Sequence, residues 1–130
     1  MRKQWMCVLL AVVLSHLVIG CVPLIYAMKE PQELRQEKTK DLCLIWYSWG
    51  TDSVLQELKR RNQFNGTDWA LIKQKQIRVG MNADAVYCSW GNPSRENYAT
   101  WRRSTQLVYS SKYQRYYVYV ENGQVSGFSN

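Results

Sequence analysis

Residues 113–125 read YQRYYVYVENGQV, and this stretch decides the fold class. From Tyr113 to Glu121 the side chains alternate with a period of two. Tyr116, Val118 and Val120 fall on one face of a strand, and Tyr117, Tyr119 and Glu121 on the other. Asn122-Gly123 is the pair that a two-residue hairpin asks for, because both central residues of a type I′ turn take positive φ. Gln124 to Ser129 then returns as a closing strand. Just upstream, Thr105 to Ser110 (TQLVYS) has the same strand character, so the sequence predicts a three-stranded antiparallel meander at the C-terminal end.

Further toward the N-terminus the period lengthens to that of helices. Ile77-Arg78-Val79-Gly80-Met81 leads to Asn82, a good N-cap, and a helix over Ala83 to Trp90 places Val86 and Trp90 on one face. Gly91 suits the position after that helix, and Pro93 follows, as at many helix ends. Asn65-Gly66 reads as a turn, and Thr67 as the cap of a helix with Trp69, Leu71 and Ile72 inward. Thr51-Asp52-Ser53 caps a helix from Val54 to about Gln63, with Val54, Leu55 and Leu58 inward. Its end carries Lys59, Arg60 and Arg61, which complement the C-terminal dipole. Asp41 opens a short apolar helix (LCLIWYSW) stopped by Gly50. Residues 29–40 (KEPQELRQEKTK) are charged and read as a partly helical tether. The expected fold is α+β: short helices followed by a three-stranded β-meander, with the helices packed on one face of the sheet.

The first residues have a different purpose. Arg2 and Lys3 precede an apolar run from Met6 to Ile19, broken only by Ser15 and His16. Its 14 residues fit the apolar core of a signal peptide, about 7–15 long. Val18-Ile19-Gly20-Cys21 follows and resembles the lipobox of bacterial lipoproteins, which implies cleavage before Cys21 and lipid attachment to its thiol. Two or three acyl chains anchor stably where one does not. The expected organisation is a signal peptide over 1–20, a lipid anchor and tether over 21–40, and a domain over 41–130. Val22 after the cysteine, by resemblance to bacterial sorting patterns, implies an outer-membrane lipoprotein facing the periplasm. The alternative is an uncleaved inner-membrane anchor. Apolar character continues to Met28, and Trp5 to Met28 as a helix would span about 36 Å. Cleavage after Ala27 and simple secretion is a third possibility.

With Cys7 in the leader and Cys21 assigned to lipid, Cys43 and Cys88 remain. An even pair in an oxidising compartment points to a disulfide, closing a loop of about 45 residues worth roughly 4 kcal/mol. The alternative is two buried thiols packing as small hydrophobes.

Composition narrows the function. The chain has 130 residues, room for one domain, with 13% aromatics dominated by Trp and Tyr. Past the leader it holds 15 basic against 10 acidic residues, scattered in runs of three at most. That favours a solvated surface near anionic lipid over nucleic-acid binding. His16, the single histidine, lies in the leader, which removes histidine-based triads and histidine zinc sites from the domain. Asp84 and Glu96 can be imagined as a carboxylate pair, but solvation of a helix face explains each. No enzyme activity, cofactor, metal or small-molecule substrate is expected. Asn65-Gly66-Thr67 matches a glycosylation sequon, which has no meaning behind a bacterial lipobox.

The segment Asp68-Trp69…Ile72…Ile77-Arg78-Val79-Gly80-Met81…Val86…Trp90-Gly91-Asn92-Pro93 resembles the SmpA/OmlA family of outer-membrane lipoproteins, the BamE-like proteins. Leu107-Val108-Tyr109…Tyr117-Val118-Tyr119-Val120-Glu121-Asn122-Gly123-Gln124-Val125 is similar to that family's closing hairpin. The resemblance covers about residues 67–130, and the helical segment with Cys43 is extra. Gly80, Met81, Gly91, Pro93, Asn122 and Gly123 carry it, and all are architectural. It implies a membrane-anchored, non-catalytic module that binds an envelope protein, in outer-membrane assembly or integrity. The expected partner surface is the Tyr117 and Tyr119 face, joined by Tyr109. The β-lactamase inhibitor proteins use a similar unit, so inhibition of an envelope enzyme or toxin is the alternative.

Overall fold

The computed structural model describes Ile25 and residues 28–130. The expected leader over 1–20 and the lipid site at Cys21 lie outside the described residues. Within residues 29–130 five α-helices come first: α1 (Pro31–Gln36), α2 (Thr39–Trp49), α3 (Asp52–Arg61), α4 (Gly66–Lys73) and α5 (Ala83–Trp90). Four strands follow: β1 (Arg95–Ala99), β2 (Ser104–Ser110), β3 (Arg115–Glu121) and β4 (Gln124–Ser129). They form one antiparallel sheet in the order β1-β2-β3-β4. The chain is therefore α+β with a four-stranded sheet.

The fourth strand corrects the three-stranded expectation. β1 reads RENYA, without the apolar alternation that marks a half-buried strand. Its inward positions are Glu96 and Tyr98, in register with Leu107 and Thr105 of β2. Polar side chains can face inward there because Glu96 is met by Lys40 Nζ at 2.5 Å and Tyr87 Oη at 3.1 Å.

The local rules hold well in α5. The Asn82 side chain accepts from the Asp84 backbone N–H at 2.8 Å, and the helix ends at Gly91. Gly91 has φ +75, and a Cβ there would sit 2.5 Å from the Tyr47 ring. Both the backbone and its neighbour thus demand glycine. The 80–83 segment runs beside β4: Gly80 N–H donates to Val125 O at 2.7 Å, and Val125 N–H to Met81 O at 2.9 Å. This pairing delivers Met81 to the core, fully buried. In the hairpin, Asn122 and Gly123 have φ of 50 and 77, as a type I′ turn requires. α4 starts two residues earlier than its expected cap: Asn65, not Thr67, accepts from the Asp68 N–H.

The core joins the helices to one face of the sheet. Leu42, Val54, Leu58, Ile72 and Val86 pack in one buried cluster with Leu107, Val118, Val120 and Val125. Cys43 and Cys88 are bonded at its centre and tie α2 to α5.

The 29–40 segment is not a loose tether. Leu34 of α1 is buried, as is Thr39 at the start of α2. Arg61, at the end of α3, holds this region by its guanidinium. Nη2 donates to Leu34 O at 2.9 Å and Glu37 O at 2.8 Å, Nη1 to Thr39 Oγ1 at 2.9 Å, and Nε to Glu57 at 3.0 Å. The packed region therefore includes α1 and the start of α2, ahead of the boundary expected at residue 41.

Candidate interaction face

The two faces of the sheet have different fates. On the inner face, Val118 and Val120 are buried under α5, and Trp90 packs edge-on against Tyr109 and Tyr116 at 5.3 and 5.7 Å between centroids. On the outer face, register aligns Arg95, Val108, Tyr117 and Ser129 in one row and Asn97, Gln106, Tyr119 and Gly127 in the next. Ser110 pairs with Arg115 at the end. Tyr119 is exposed and Tyr117 half-buried, so both point away from the helices, as the alternation predicts.

Tyr109 is not part of that face. It pairs with Tyr116 on the inner side, and its hydroxyl donates to Gly91 O at 3.1 Å. Burial, and then the nearby Glu96 charge, raises the phenol well above its ordinary value. Tyr109 is a core residue that fastens β2 to the end of α5.

The outer face carries a groove of about 290 Å³ that no helix residue lines. Val108 forms its floor and is only 7% exposed, although no second layer covers it. Tyr117 and the side chains of Asn97 and Gln106 form walls, and Asn97 Nδ2 donates to Gln106 Oε1 at 2.9 Å. Arg95 and Arg115 stand on opposite sides, on β1 and β3. No carboxylate lines the groove, and among the described residues neither arginine has an ion-pair partner. Nor do the hydroxyls of Tyr117 and Tyr119 make a hydrogen bond among these residues. The sequence reading missed Arg95, Asn97, Val108 and Arg115. The signal was present in the alternation of 95–99 after Pro93-Ser94, which places Arg95 and Asn97 on one face once β1 is a strand.

A second cluster lies where α2 and α5 meet β1. Glu96 accepts from Lys40, Tyr87 and Tyr98, and Asp84 lines the same cleft of about 210 Å³. Asp84 and Glu96 are thus neighbours in one cleft, not separately solvated. Burial works against the Glu96 charge, but the bonds from Lys40 and Tyr98 leave its carboxyl below the ordinary range. Burial raises the Asp84 carboxyl, with Lys40 opposing. Burial and Glu96 raise the Tyr87 phenol. The bonds from Lys40 and Tyr87 tie the helices to β1, which makes the cluster a structural clasp.

Among the described residues no group of three or more His, Cys, Asp or Glu is placed to hold a metal ion, and no helix is long and apolar enough to cross a membrane. No protein-family model matches the chain, and neither a curated protein nor a solved structure matches it.

Proposed function

We propose that the chain is a lipid-anchored, non-catalytic envelope protein of the SmpA/OmlA kind that captures a protein partner on the outer face of its sheet. The lipobox-like Val18-Ile19-Gly20-Cys21 after an apolar run of signal-peptide length supports the anchor. Gly80-Met81 beside β4, the Gly91-Asn92-Pro93 stop and the Asn122-Gly123 hairpin are in keeping with the family's architecture.

The observation that carries the reading is the division of labour in β3. Val118 and Val120 are consumed by the core, while Tyr117 and Tyr119 stand on a face that the helices leave open. Aromatic side chains with a free polar tip give large contact area and a hydrogen bond at once, which is why interfaces favour them.

The test is capture from detergent-solubilised envelopes, with bound proteins identified by mass spectrometry. Tyr117→Ala with Tyr119→Ala should abolish capture and change the melting temperature little. Val118→Ala should cost about 0.5–3 kcal/mol of stability, as core truncations do. A double tyrosine variant that captures its partner like the parent refutes the reading. Cys21→Ser should block fatty-acid labelling, and normal labelling of that variant refutes the anchor.

A further inference from the structure

We propose that the outer-face groove recognises an acidic segment of a protein partner, with Arg95 and Arg115 clamping a carboxylate between them. The proposal rests on the outer face being the interaction face and names the chemistry it selects.

Three observations converge on it. The first is placement. Arg95 is on β1 and Arg115 on β3, with β2 between them. Two strand spacings and the two-residue offset between Val108 and Ser110 set them about 12 Å apart. A guanidinium on its three-carbon stem reaches about half that distance, so both can meet one anionic group above Val108 and Ser110. The second is charge. Of the residues lining the groove, the two arginines are the only ionised ones. Both are exposed, and neither has a carboxylate of this chain against it among the described residues. Two like charges facing one groove repel each other until an anion enters. The third is the lining. Val108 offers an apolar floor, and Ser94, Ser110 and Asn97 offer hydroxyl and amide groups at the rim. A floor of that kind suits the methylene stem of a Glu or Asp whose carboxylate is held by the arginine forks. Tyr117 and Tyr119 continue the surface along β3 for the residues that flank it.

The experiment uses the full chain in detergent and two fluorescein-labelled peptides, one alternating Glu with Val and one alternating Gln with Val. Anisotropy is read at about 50 mM and 200 mM salt. The Glu peptide should bind about tenfold more tightly than the Gln peptide at low salt, and less so at high salt, as two exposed charge pairs allow. Arg95→Gln with Arg115→Gln should erase that preference at unchanged melting temperature. Tyr117→Ala with Tyr119→Ala should weaken both peptides alike. Equal binding of the two peptides, or a preference that survives the arginine changes, overturns the proposal. If the arginine variant loses nothing while the tyrosine variant loses envelope capture, the interaction face stands and the acidic ligand falls. Failure of both variants to change anything removes the interaction face itself. Phosphatidylglycerol vesicles form the last arm: binding to them through Arg95 and Arg115, with no binding of the Glu peptide, overturns the proposal in favour of a lipid headgroup.

Discussion

Removing the Cys43–Cys88 bond is the sharpest test of what stabilises the domain. The bond links residues 45 apart in sequence. In the loop-entropy account, a closed loop of that length restricts the unfolded chain by about 4 kcal/mol at 25 °C. Both cysteines are fully buried between α2 and α5, so Cys43→Ala with Cys88→Ala also loses sulfur contacts in the core. The helix pair keeps Leu42 and Val86 in the same cluster, which limits collapse. The net expectation is a loss of about 4–5 kcal/mol, a large share of the 5–15 kcal/mol that ordinary domains possess. Equilibrium unfolding in urea, followed by tryptophan fluorescence, should be run on oxidised, reduced and double-alanine protein. The reduced and alanine forms should lose similar stability. Their m-values should rise, because an unlooped unfolded chain exposes more surface. A loss below about 1 kcal/mol in both forms would refute the loop argument. A loss in the alanine form alone would assign the effect to packing instead.

Two further outcomes follow from single sites. Gly91→Ala should cost about 2–4 kcal/mol, measured by the same unfolding curves, since φ is +75 and the new methyl meets the Tyr47 ring at 2.5 Å. An unchanged midpoint there would mean that Tyr47 swings away and that the backbone at Gly91 relaxes from φ 75, ψ −151. Glu57 carries the pH dependence: hydrogen bonding from Arg60 first, opposed by burial and aided by Arg61, lowers its carboxyl from 4.5 to about 2. A depressed folded value means stability fully present above pH 4.5 and lost as pH falls toward 2, so the urea midpoint should drop across that window and Glu57→Gln should flatten the drop.

The elements that the sequence makes legible are those whose signals are local. α5 was readable to the residue because Asn82, Gly91 and Pro93 mark both ends. The β3–β4 hairpin was readable because Asn122-Gly123 permits few other turns. What escaped depends on distant partners. α1 has one buried apolar side chain, Leu34, and its carbonyls are held by Arg61, 27 residues away. β1 conceals its inward face behind Glu96, which is intelligible only once Lys40 and Tyr87 are seen to meet it. Tyr109 was placed on the wrong face because Leu107 and Val108 are both apolar and both buried, at 1% and 7%. Adjacent apolar residues leave the phase of a strand open, and only pairing with Tyr116 fixes it.

The tyrosine hydroxyls give an independent way to separate scaffold from surface. A buried hydroxyl left without a partner costs about 1–3 kcal/mol, so tyrosines that serve the fold must find acceptors. Tyr87 donates to Glu96 at 3.1 Å and Tyr109 to Gly91 O at 3.1 Å. These belong to the packed side of the sheet. Tyr117 follows a different logic: its ring lies in the row that shields Val108, and its hydroxyl has only water to bond. Water is an adequate partner on a solvated face, so the fold gains nothing further from that oxygen. The ring stands beside Val108 in register, a place that a phenylalanine would fill equally well. Tyr119 repeats the arrangement one row on, beside Gly127, where no opposing side chain screens it. Such rings are held by two torsions and lose little freedom on contact, and their tips are ready for a partner's polar group. Beside them stand two arginines with no acid of their own. A face kept for solubility alone would be served by any charged residues in any pairing. Unpaired arginines, one half-buried and one exposed tyrosine ring, and open hydroxyls on one side of one sheet are what the proposed binding surface would use.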